Sequence, residues 1–574
     1  MQEGGLRLRN RKRLPKMWNA SRYNGSYGFF LITERENLTS SKTKVRMTDS
    51  AKDEPEDDLA KLQRQPQAVA VWQAAQQHLI HGRHAAALNG YRNLVKQFPE
   101  VAALWMELGL AATGELDFAL ARQASRRAAE LAGADSNLLV SIGQQYHRLR
   151  RLQEASACFT QAVAADPESV HARLSLAAWL ERDRQLDQAR ECVEDCLKQH
   201  PQDARALYFR AFLWHREGQN SEAETALRDL LKSNPADPNV KISANHLLGV
   251  VLDATGQYAE AMRFLRESKT LARQLTDTAA LEKTYDKMSA ARRELLAALT
   301  PDAIRRWREE ADAAPCPHPL AFLGGPPRSG TTLIEQILGA HPQIFVFDEP
   351  EAFALEVLNT VAPMPPARPL TLKSLNGLTS PVRANLMRRY CKSLLRQIEE
   401  EPGDNWLVDK NPSLTASLHV WLRLFPASKI IITLRDPRDI IISCYFQSLT
   451  LTPVNANFLS LVRAAKFYSD CMDAWLRLRD LGGFDWMETR YEDIVNHLDA
   501  EGRRLTEFLG LPWHESQAKY YESARQKFVF APTYHDVTQP VYRRAVRRWE
   551  HYAEALAPLQ STLAPYCRAF GYAE

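Results

Sequence analysis

The sequence predicts a multidomain α + α/β protein, in which a helical solenoid is followed by an α/β domain built on a parallel sheet. Three observations predict it. Pro99, Pro167, Pro201 and Pro235 keep a 34-residue register through the first half of the chain, with Gly133 in the slot between the first two. Residues 319–342, PLAFLGGPPRSGTTLIEQILGAHP, pass from an apolar strand-like run through a glycine and proline loop into a helix-like run. Further on, strand-like and helix-like runs alternate, the pattern of a parallel sheet with ligands at the carboxyl ends of its strands.

The chain of 574 residues is 45% hydrophobic and 25% charged, ordinary for globular proteins and long enough for two or more domains. Its net charge of +4 is unevenly placed: residues 1–46 hold eleven Lys/Arg against three Glu, so the rest carries about −4. The body therefore has no electrostatic footprint for nucleic acid. The N-terminal segment offers one short apolar stretch, 29–32, and no cleavage-site pattern, so neither a signal peptide nor a membrane anchor is expected. Residues 1–46 are expected to be disordered, Met47 offers an alternative translation start, and with the acidic DEPEDD at 53–58 they make 1–67 a non-globular segment. Eight cysteines lie scattered without a C-x-x-C pair, and Cys192 and Cys196 stand one helical turn apart. That usage fits buried thiols in a reducing cytoplasm rather than a disulfide framework or a zinc site.

Residues 68–275 read as six tetratricopeptide repeats, because the 34-residue period is theirs. Small residues recur where two antiparallel helices cross: Ala75, Gly109, Gly143, Ala177 and Ala211, then twelve positions on Ala87, Ala121, Ala155, Ala189 and Ala223. Trp105, Leu108, Tyr146, Phe159 and Trp214 fill packing positions. A sixth unit with Gly249 and Ala261 arrives four residues late, an insertion expected to lengthen one inter-repeat turn. Each helical pair buries only part of its apolar face alone, so the units should stack into a superhelix. Such a solenoid serves as a peptide-binding groove, a surface for a homodimer or a spacer, and capture of a protein partner or substrate is the reading taken. Residues 276–316, rich in Ala, Arg, Glu and Leu without the repeat pattern, read as a helical cap and linker before an α/β domain at 317–574.

In that domain the loop GPPRSGTT at 325–332 is a phosphate cradle: small residues let the backbone approach an anion while free N–H groups and a helix N-terminus point at it. It fits a P-loop except that Thr331 stands where the lysine should be, and the positive charge sits three places upstream at Arg328. Nucleoside triphosphate hydrolysis is disfavoured, and no strand-terminal acid is evident for a magnesium ion; metal-free group transfer from a nucleotide fits better. NWLVDKNP at 405–412 reads as a strand, KIIITL at 429–434 as a fully buried one with a helix after it from about 437 to 446, and FDWMETRYEDIVNH as a short strand entering a helix near Tyr491.

PPRSGTTL, with KIIITLRDPRDIIISCYFQ a hundred-odd residues later, resembles the two donor-binding signatures of sulfotransferases that use 3′-phosphoadenosine 5′-phosphosulfate (PAPS). AHPQIFVFDEPEAF is more similar to tyrosylprotein sulfotransferases than to the cytosolic small-molecule enzymes. The resemblance covers roughly 317–574. It implies that Arg328, Ser329, Gly330, Thr331 and Thr332 hold the 5′-phosphosulfate, with Arg328 worth about 3 kcal/mol of charge stabilisation at the leaving phosphate. Arg435 and Ser443 match the 3′-phosphate ligands, since an Arg at a strand end binds phosphate bidentately. Asp436, Arg438 and Asp439 read as capping and pairing at the helix start and stay outside the site. Tyr491, in RYEDI, matches a position near the nucleotide.

The acceptor base of the cytosolic enzymes is a His near LVDKNP, and none occurs there. The shared Ala-His-Pro instead carries the tyrosylprotein base over to Glu349, with Asp348 and Glu351 as alternatives if the register slips. A glutamate of ordinary pKa near 4.3 cannot take a phenol proton outright, a gap of about 8 kcal/mol, so proton transfer should accompany attack. Lys410 matches a lysine that stabilises the transferring group. The family's catalytic Ser position, counted from Pro540-Val541 to Trp549, holds Arg547 within YRRAVRRW; either Arg547 takes over donor binding or the register differs. His341 is expected to close a helix end. The resemblance thus implies a cytoplasmic, PAPS-dependent, metal-independent sulfotransferase that sulfates tyrosine of a protein or peptide captured by the repeats, binding neither membrane nor nucleic acid. Alternatives are a glycan or small-molecule hydroxyl as acceptor, or a repeat scaffold with a degenerate transferase domain.

Overall fold

The structure, a computed structural model, describes residues 58–80, 83–115, 117–312, 315–361, 370–398, 401–526 and 536–573. The expectations for residues 1–46 lie outside them. The chain divides into two compact units, one ending at Gln202 and one beginning at Asp203.

In the first unit, Asp58–Gln63 is already helical, although it falls in the stretch expected to be non-globular. Leu62 is the reason: it is fully buried with Tyr91, Leu94 and Phe98, so the acidic stretch ends on an apolar anchor. Four helical hairpins follow: Pro66–Ile80 with His84–Gln97, Ala102–Gly114 with Phe118–Leu131, Ser136–Arg148 with Leu152–Ala165, and Val170–Arg182 with Leu186–Gln199. Close crossing dictates the small residues. A Cβ on Gly109 would stand 2.2 Å from Gln145 Nε2, and one on Gly143 would stand 3.0 Å from Phe159 Cε1. Asp117, Asp135 and Ser169 start three of these helices by accepting a backbone N–H three residues on.

The second unit opens with two more hairpins, Ala204–Arg216 with Asn220–Lys232 and Pro238–Ala254 with Tyr258–Leu275. Here the four-residue insertion departs from expectation. It lengthens the helix, 17 residues at Pro238–Ala254 against 13 at Ala204–Arg216, rather than the turn. Four residues are close to one helical turn, so the apolar face stays in phase, and Asp237 capping with Pro238 in the first turn fixes the start. Helices Thr278–Ala298 and Pro301–Asp312 follow. Leu295, Leu299, Ile304 and Trp307 join the same core as Phe322, Ile430 and Ile432, so the stretch read as cap and linker is built into the α/β core.

The sheet has five strands, β1 (Leu320–Gly324), β2 (Ile344–Asp348), β3 (Trp406–Lys410), β4 (Lys429–Leu434) and β5 (Trp486–Arg490), all parallel in the order β2-β3-β1-β4-β5. The sequence pattern had not singled out β2 as a strand. Alternate residues enter two cores. Leu320, Phe322 and Ile430 pack under helices Ser380–Leu395 and Leu461–Leu481, while Ala321, Leu323 and Ile431 pack under Thr331–Gly339 and Leu498–Leu509. The chain leaves β1 toward one edge of the sheet and leaves β4 toward the other. The carboxyl ends of β1 and β4 therefore flank the switch point, where open α/β sheets bind ligands. No described helix is long and apolar enough to cross a membrane.

Candidate active site

The loop after β1 turns on two glycines in the left-handed region, Gly325 at φ 132° and Gly330 at φ 101°. Neither tolerates a side chain: a Cβ on Gly325 would lie 2.3 Å from the Thr433 carbonyl oxygen, and one on Gly330 would lie 2.6 Å from Tyr491 Cδ2. Thr415 clamps the loop's entrance, accepting from Gly325 N at 2.8 Å and donating to Gly325 O at 2.9 Å. Gly330 caps helix Thr331–Gly339, whose first N–H groups, those of Thr331 and Thr332, have no intrahelical acceptor. Ser329 is fully buried and its Oγ has no hydrogen-bond partner among the described residues.

Arg328 also adopts a positive φ, 72°, a conformation that costs a non-glycine residue of order 1–3 kcal/mol. It turns the side chain toward the element after β4, where its Nε donates to Ser443 Oγ at 3.1 Å. Burial pulls the guanidinium below its usual pKa. Arg435, at the end of β4, reaches back: Nη1 donates to the Arg328 carbonyl at 3.0 Å, Nη2 donates to the Ala545 carbonyl, and the guanidinium lies 4.8 Å over the Tyr491 ring. Its buried Nε has no hydrogen-bond partner among the described residues. Arg328, Ser443, Arg435 and Tyr491 thus converge on the glycine loop at the switch point. Asp436 caps helix Pro437–Tyr445 and pairs with Arg438, while Asp439 accepts the N–H groups of Arg547 and Trp549. Burial raises the Asp439 carboxyl to about 6.

Arg547 is placed otherwise than the resemblance implied. Its backbone is tied to the site through Asp439 at φ 60°, but its side chain is 73% exposed and its Nε donates to Glu550 at 2.6 Å. What the segment offers the loop is the Ala545 carbonyl on Arg435. The sixth hairpin holds the same segment: Asp253 accepts from Arg548 Nη2 at 2.7 Å and from Tyr552, and Tyr258 stacks on His551 at 4.0 Å; its Lys269 also donates to the Gln447 carbonyl, just past helix Pro437–Tyr445.

A second cluster gathers at the ends of β2 and β3. Asp348 and Lys410 pair in register, and Glu349 extends the ladder by donating its N–H to the Lys410 carbonyl at 2.8 Å. The fully buried Lys410 ammonium contacts Asp348 and lies 3.3 Å from both Glu349 Oε1 and Glu335 Oε2. These carboxylates hold its pKa above the ordinary lysine value despite burial. Glu335, in helix Thr331–Gly339, is pushed up to about 8, first by burial and then by Asp348. Glu349 is the most exposed of the three, 23% against 14% for Asp348 and 7% for Glu335, and its φ of 46° lifts it out of the strand line. Behind Lys410, Asp409 accepts from Tyr390 at 2.8 Å, and burial raises it to about 7. His341 sits just past its helix, accepting from Gln343 N at 3.1 Å.

A family model described as the sulfotransferase family matches residues 319–515, and models of the tetratricopeptide repeat match 146–211, 180–244 and 242–275. The chain carries a sulfotransferase-family domain behind tetratricopeptide repeats. It is 26% identical over 270 residues to protein-tyrosine sulfotransferase A of Caenorhabditis elegans, covering 44% of this chain and 67% of that protein. To protein-tyrosine sulfotransferase 1 of Danio rerio it is 27% identical over 215 residues, covering 36% of this chain and 56% of that one. The matched stretch thus spans between about half and two thirds of these relatives' length. Among solved structures, one titled as a crystal structure of MamA aligns at 17% identity and a TM-score of 0.25, over 28% of this chain and 94% of that one.

Three parts of the sulfotransferase domain's site are not evident in the sequence pattern: Glu335, Thr415 and the Ala545 carbonyl. Glu335 had a signal, since it shares the i, i+3, i+4, i+7 face of Thr331, Ile334 and Leu338, and a charge on an apolar face needs a buried partner. Thr415 and the Ala545 carbonyl had none, because each acts through a contact made only by the fold.

Proposed function

We propose that the sulfotransferase domain transfers the sulfuryl group of PAPS to the hydroxyl of a tyrosine in a protein or peptide. The observation that carries this is the joining of Arg328, Ser443 and Arg435 around the glycine loop at the switch point. The residues suit a nucleotide carrying phosphates at both ends: the orphaned Ser329 Oγ, the orphaned Arg435 Nε and the two glycines leave polar groups and backbone turned to an anion. In this reading the loop amides, Ser329 and Arg328 hold the 5′-phosphosulfate, and Arg435 and Ser443 hold the 3′-phosphate. Bound there, the donor supplies an activated sulfuryl group with a phosphate as leaving group. Arg328 places positive charge where that phosphate departs, and Lys410 adds a fixed ammonium beside the acceptor end. Glu349, the carboxylate nearest solvent in its cluster, orients the acceptor hydroxyl and takes its proton as the bond to sulfur forms. Tyrosine as acceptor is supported by the Glu349 motif and by the named activity of the relatives. The repeats of the first unit would then hold the acceptor chain.

The test is incubation of the purified chain with sulfuryl-labelled PAPS and a cell extract, followed by separation of labelled protein from labelled small molecules. Label in protein tyrosine is expected; label confined to glycans or small molecules overturns the acceptor assignment. Removing residues 58–202 should raise KM for a protein acceptor and spare a short tyrosine peptide, because remote binding is lost while the reacting groups remain. The cut falls at 202 because Asp253 and Lys269 belong to the second unit, so a deletion through residue 275 would strip contacts of the site itself.

A further inference from the structure

Cys316, half-buried just ahead of β1, and Cys391, buried on helix Ser380–Leu395, are 75 residues apart in sequence, yet their sulfurs lie 3.7 Å apart. Both are free thiols. Cys391 lines a cavity of about 350 Å³ whose other walls are Pro317, His318, Leu395 and the basic Arg388, Lys392 and Arg396, with Cys316 next to the wall residue Pro317. We propose that Cys316 and Cys391 are a reversible redox couple, closed to a disulfide by a peroxide and reopened by a thiol reductant. The disulfide pins the segment entering β1 to helix Ser380–Leu395.

The two sulfurs are unequal. Either sulfur can donate across the contact; the contact with Cys391, the His318 backbone and the nearby Arg383 draw the Cys316 thiol below its ordinary value, while the same contact and burial raise Cys391. Elsewhere burial first of all pushes Cys444 and Cys471 up to about 12 and Cys158, with Glu154 beside it, to about 11, which makes them inert. Cys316 is therefore the nucleophile. Its thiolate attacks one peroxide oxygen, the O–O bond breaks, hydroxide leaves, and a sulfenic acid forms on Cys316. The Cys391 sulfur then attacks the Cys316 sulfur; the S–S bond forms, the S–O bond breaks, and the hydroxyl leaves as water with the Cys391 proton. Two electrons pass from the sulfurs to the peroxide. Transient pairs of this kind are the ones a reducing compartment permits. The next residue to Cys391 is Tyr390, whose hydroxyl holds Asp409 beside Lys410, so the bond closes one residue from the support of the acceptor cluster.

The full chain, treated with an equimolar amount of hydrogen peroxide and digested under non-reducing conditions, should yield a peptide joining Cys316 to Cys391, lighter by two hydrogens and reopened by dithiothreitol. In Cys391→Ser the sulfenic acid should persist on Cys316 and be trapped by dimedone. Cys316→Ser, a change at the half-exposed member that is less demanding of the fold, should abolish the cross-link and leave Cys391 unmodified. Oxidation of another cysteine ahead of this pair, or over-oxidation of Cys316 and Cys391 without a cross-link, overturns the proposal.

Discussion

Replacing Lys410 with Met tests whether the acceptor cluster is held together by its single ammonium. In the native arrangement that ammonium lies against three carboxylates, Glu335 and Glu349 at 3.3 Å and Asp348 closer, and is itself fully buried. Removing one partner from a buried ion pair typically costs about 3–5 kcal/mol, because the remaining charge stays buried without compensation. Asp348 and Glu349 can turn partly to water, and Glu335 keeps its proton at neutral pH, so the loss should be near the lower end, about 3 kcal/mol. Adding Asp348→Asn to Lys410→Met should recover about 1–3 kcal/mol, since Asp348, the carboxylate nearest the ammonium, is the charge left without its partner, whereas Glu335 keeps its proton at neutral pH. Urea unfolding followed by a probe in the second unit, such as the buried Trp421 or Trp475, gives both numbers as a double-mutant cycle. Turnover does not discriminate, because a catalytic and a structural lysine are both lost. Lys410→Met within 0.5 kcal/mol of wild type, or a double variant less stable than the single, would refute the reasoning; the first limit is about the size of an ordinary surface substitution.

The pH dependence of stability carries a definite sign. Glu335, raised from its ordinary 4.5 to about 8, keeps in the folded state a proton that the unfolded chain releases, so its contribution is full below pH 4.5 and lost as pH rises through 8. Glu335→Gln should flatten the fall in Tm across that window without abolishing it, because Asp409, raised to about 7, acts in the same direction; an unchanged slope would show that Glu335 is not the group. Arg435→Ala should weaken binding of 3′-phosphoadenosine 5′-phosphate about ten- to a hundredfold, the loss of a charge-assisted contact worth about 1.5–3 kcal/mol, and affinity within twofold by calorimetry would place the 3′-phosphate elsewhere. Glu349→Gln should leave donor affinity intact while turnover falls by about two orders of magnitude, the contribution of a positioned base. Activity that survives it and dies in Asp348→Asn would move the base one residue upstream.

What the sequence made legible was local. The strand, glycine loop and helix at 319–342 declare themselves because one short segment carries the apolar run, the residues tolerant of positive φ and the helix start. KIIITL is β4 residue for residue, since a strand buried on both faces is an unbroken apolar run. β2 is just as apolar in Ile344–Phe347, but a four-residue apolar run does not by itself separate a strand from a helix segment. The insertion in the sixth repeat was located correctly and assigned to the wrong element, because spacing alone does not distinguish a longer turn from one more helical turn. The placement of Arg547 was illegible for a different reason. Its exposure follows from a left-handed backbone and from Asp439 gripping the N–H groups on either side of Arg548, contacts made across more than a hundred residues. Glu335, Thr415 and Asp253 likewise acquire roles only when distant segments meet.

The loop at 325–330, with Arg435 and Ser443, is proposed as a site for a nucleotide phosphorylated at both its 5′ and 3′ positions. Calorimetric titration of the purified chain, in the presence of a metal chelator, with 3′-phosphoadenosine 5′-phosphate and with adenosine 5′-phosphate tests it most directly. Saturable binding of the first is expected without metal, with affinity lower by about ten- to a hundredfold for the second, which lacks the group assigned to Arg435. Equal affinity for the two nucleotides, binding that vanishes with the metal, or hydrolysis of ATP by the same preparation would contradict it.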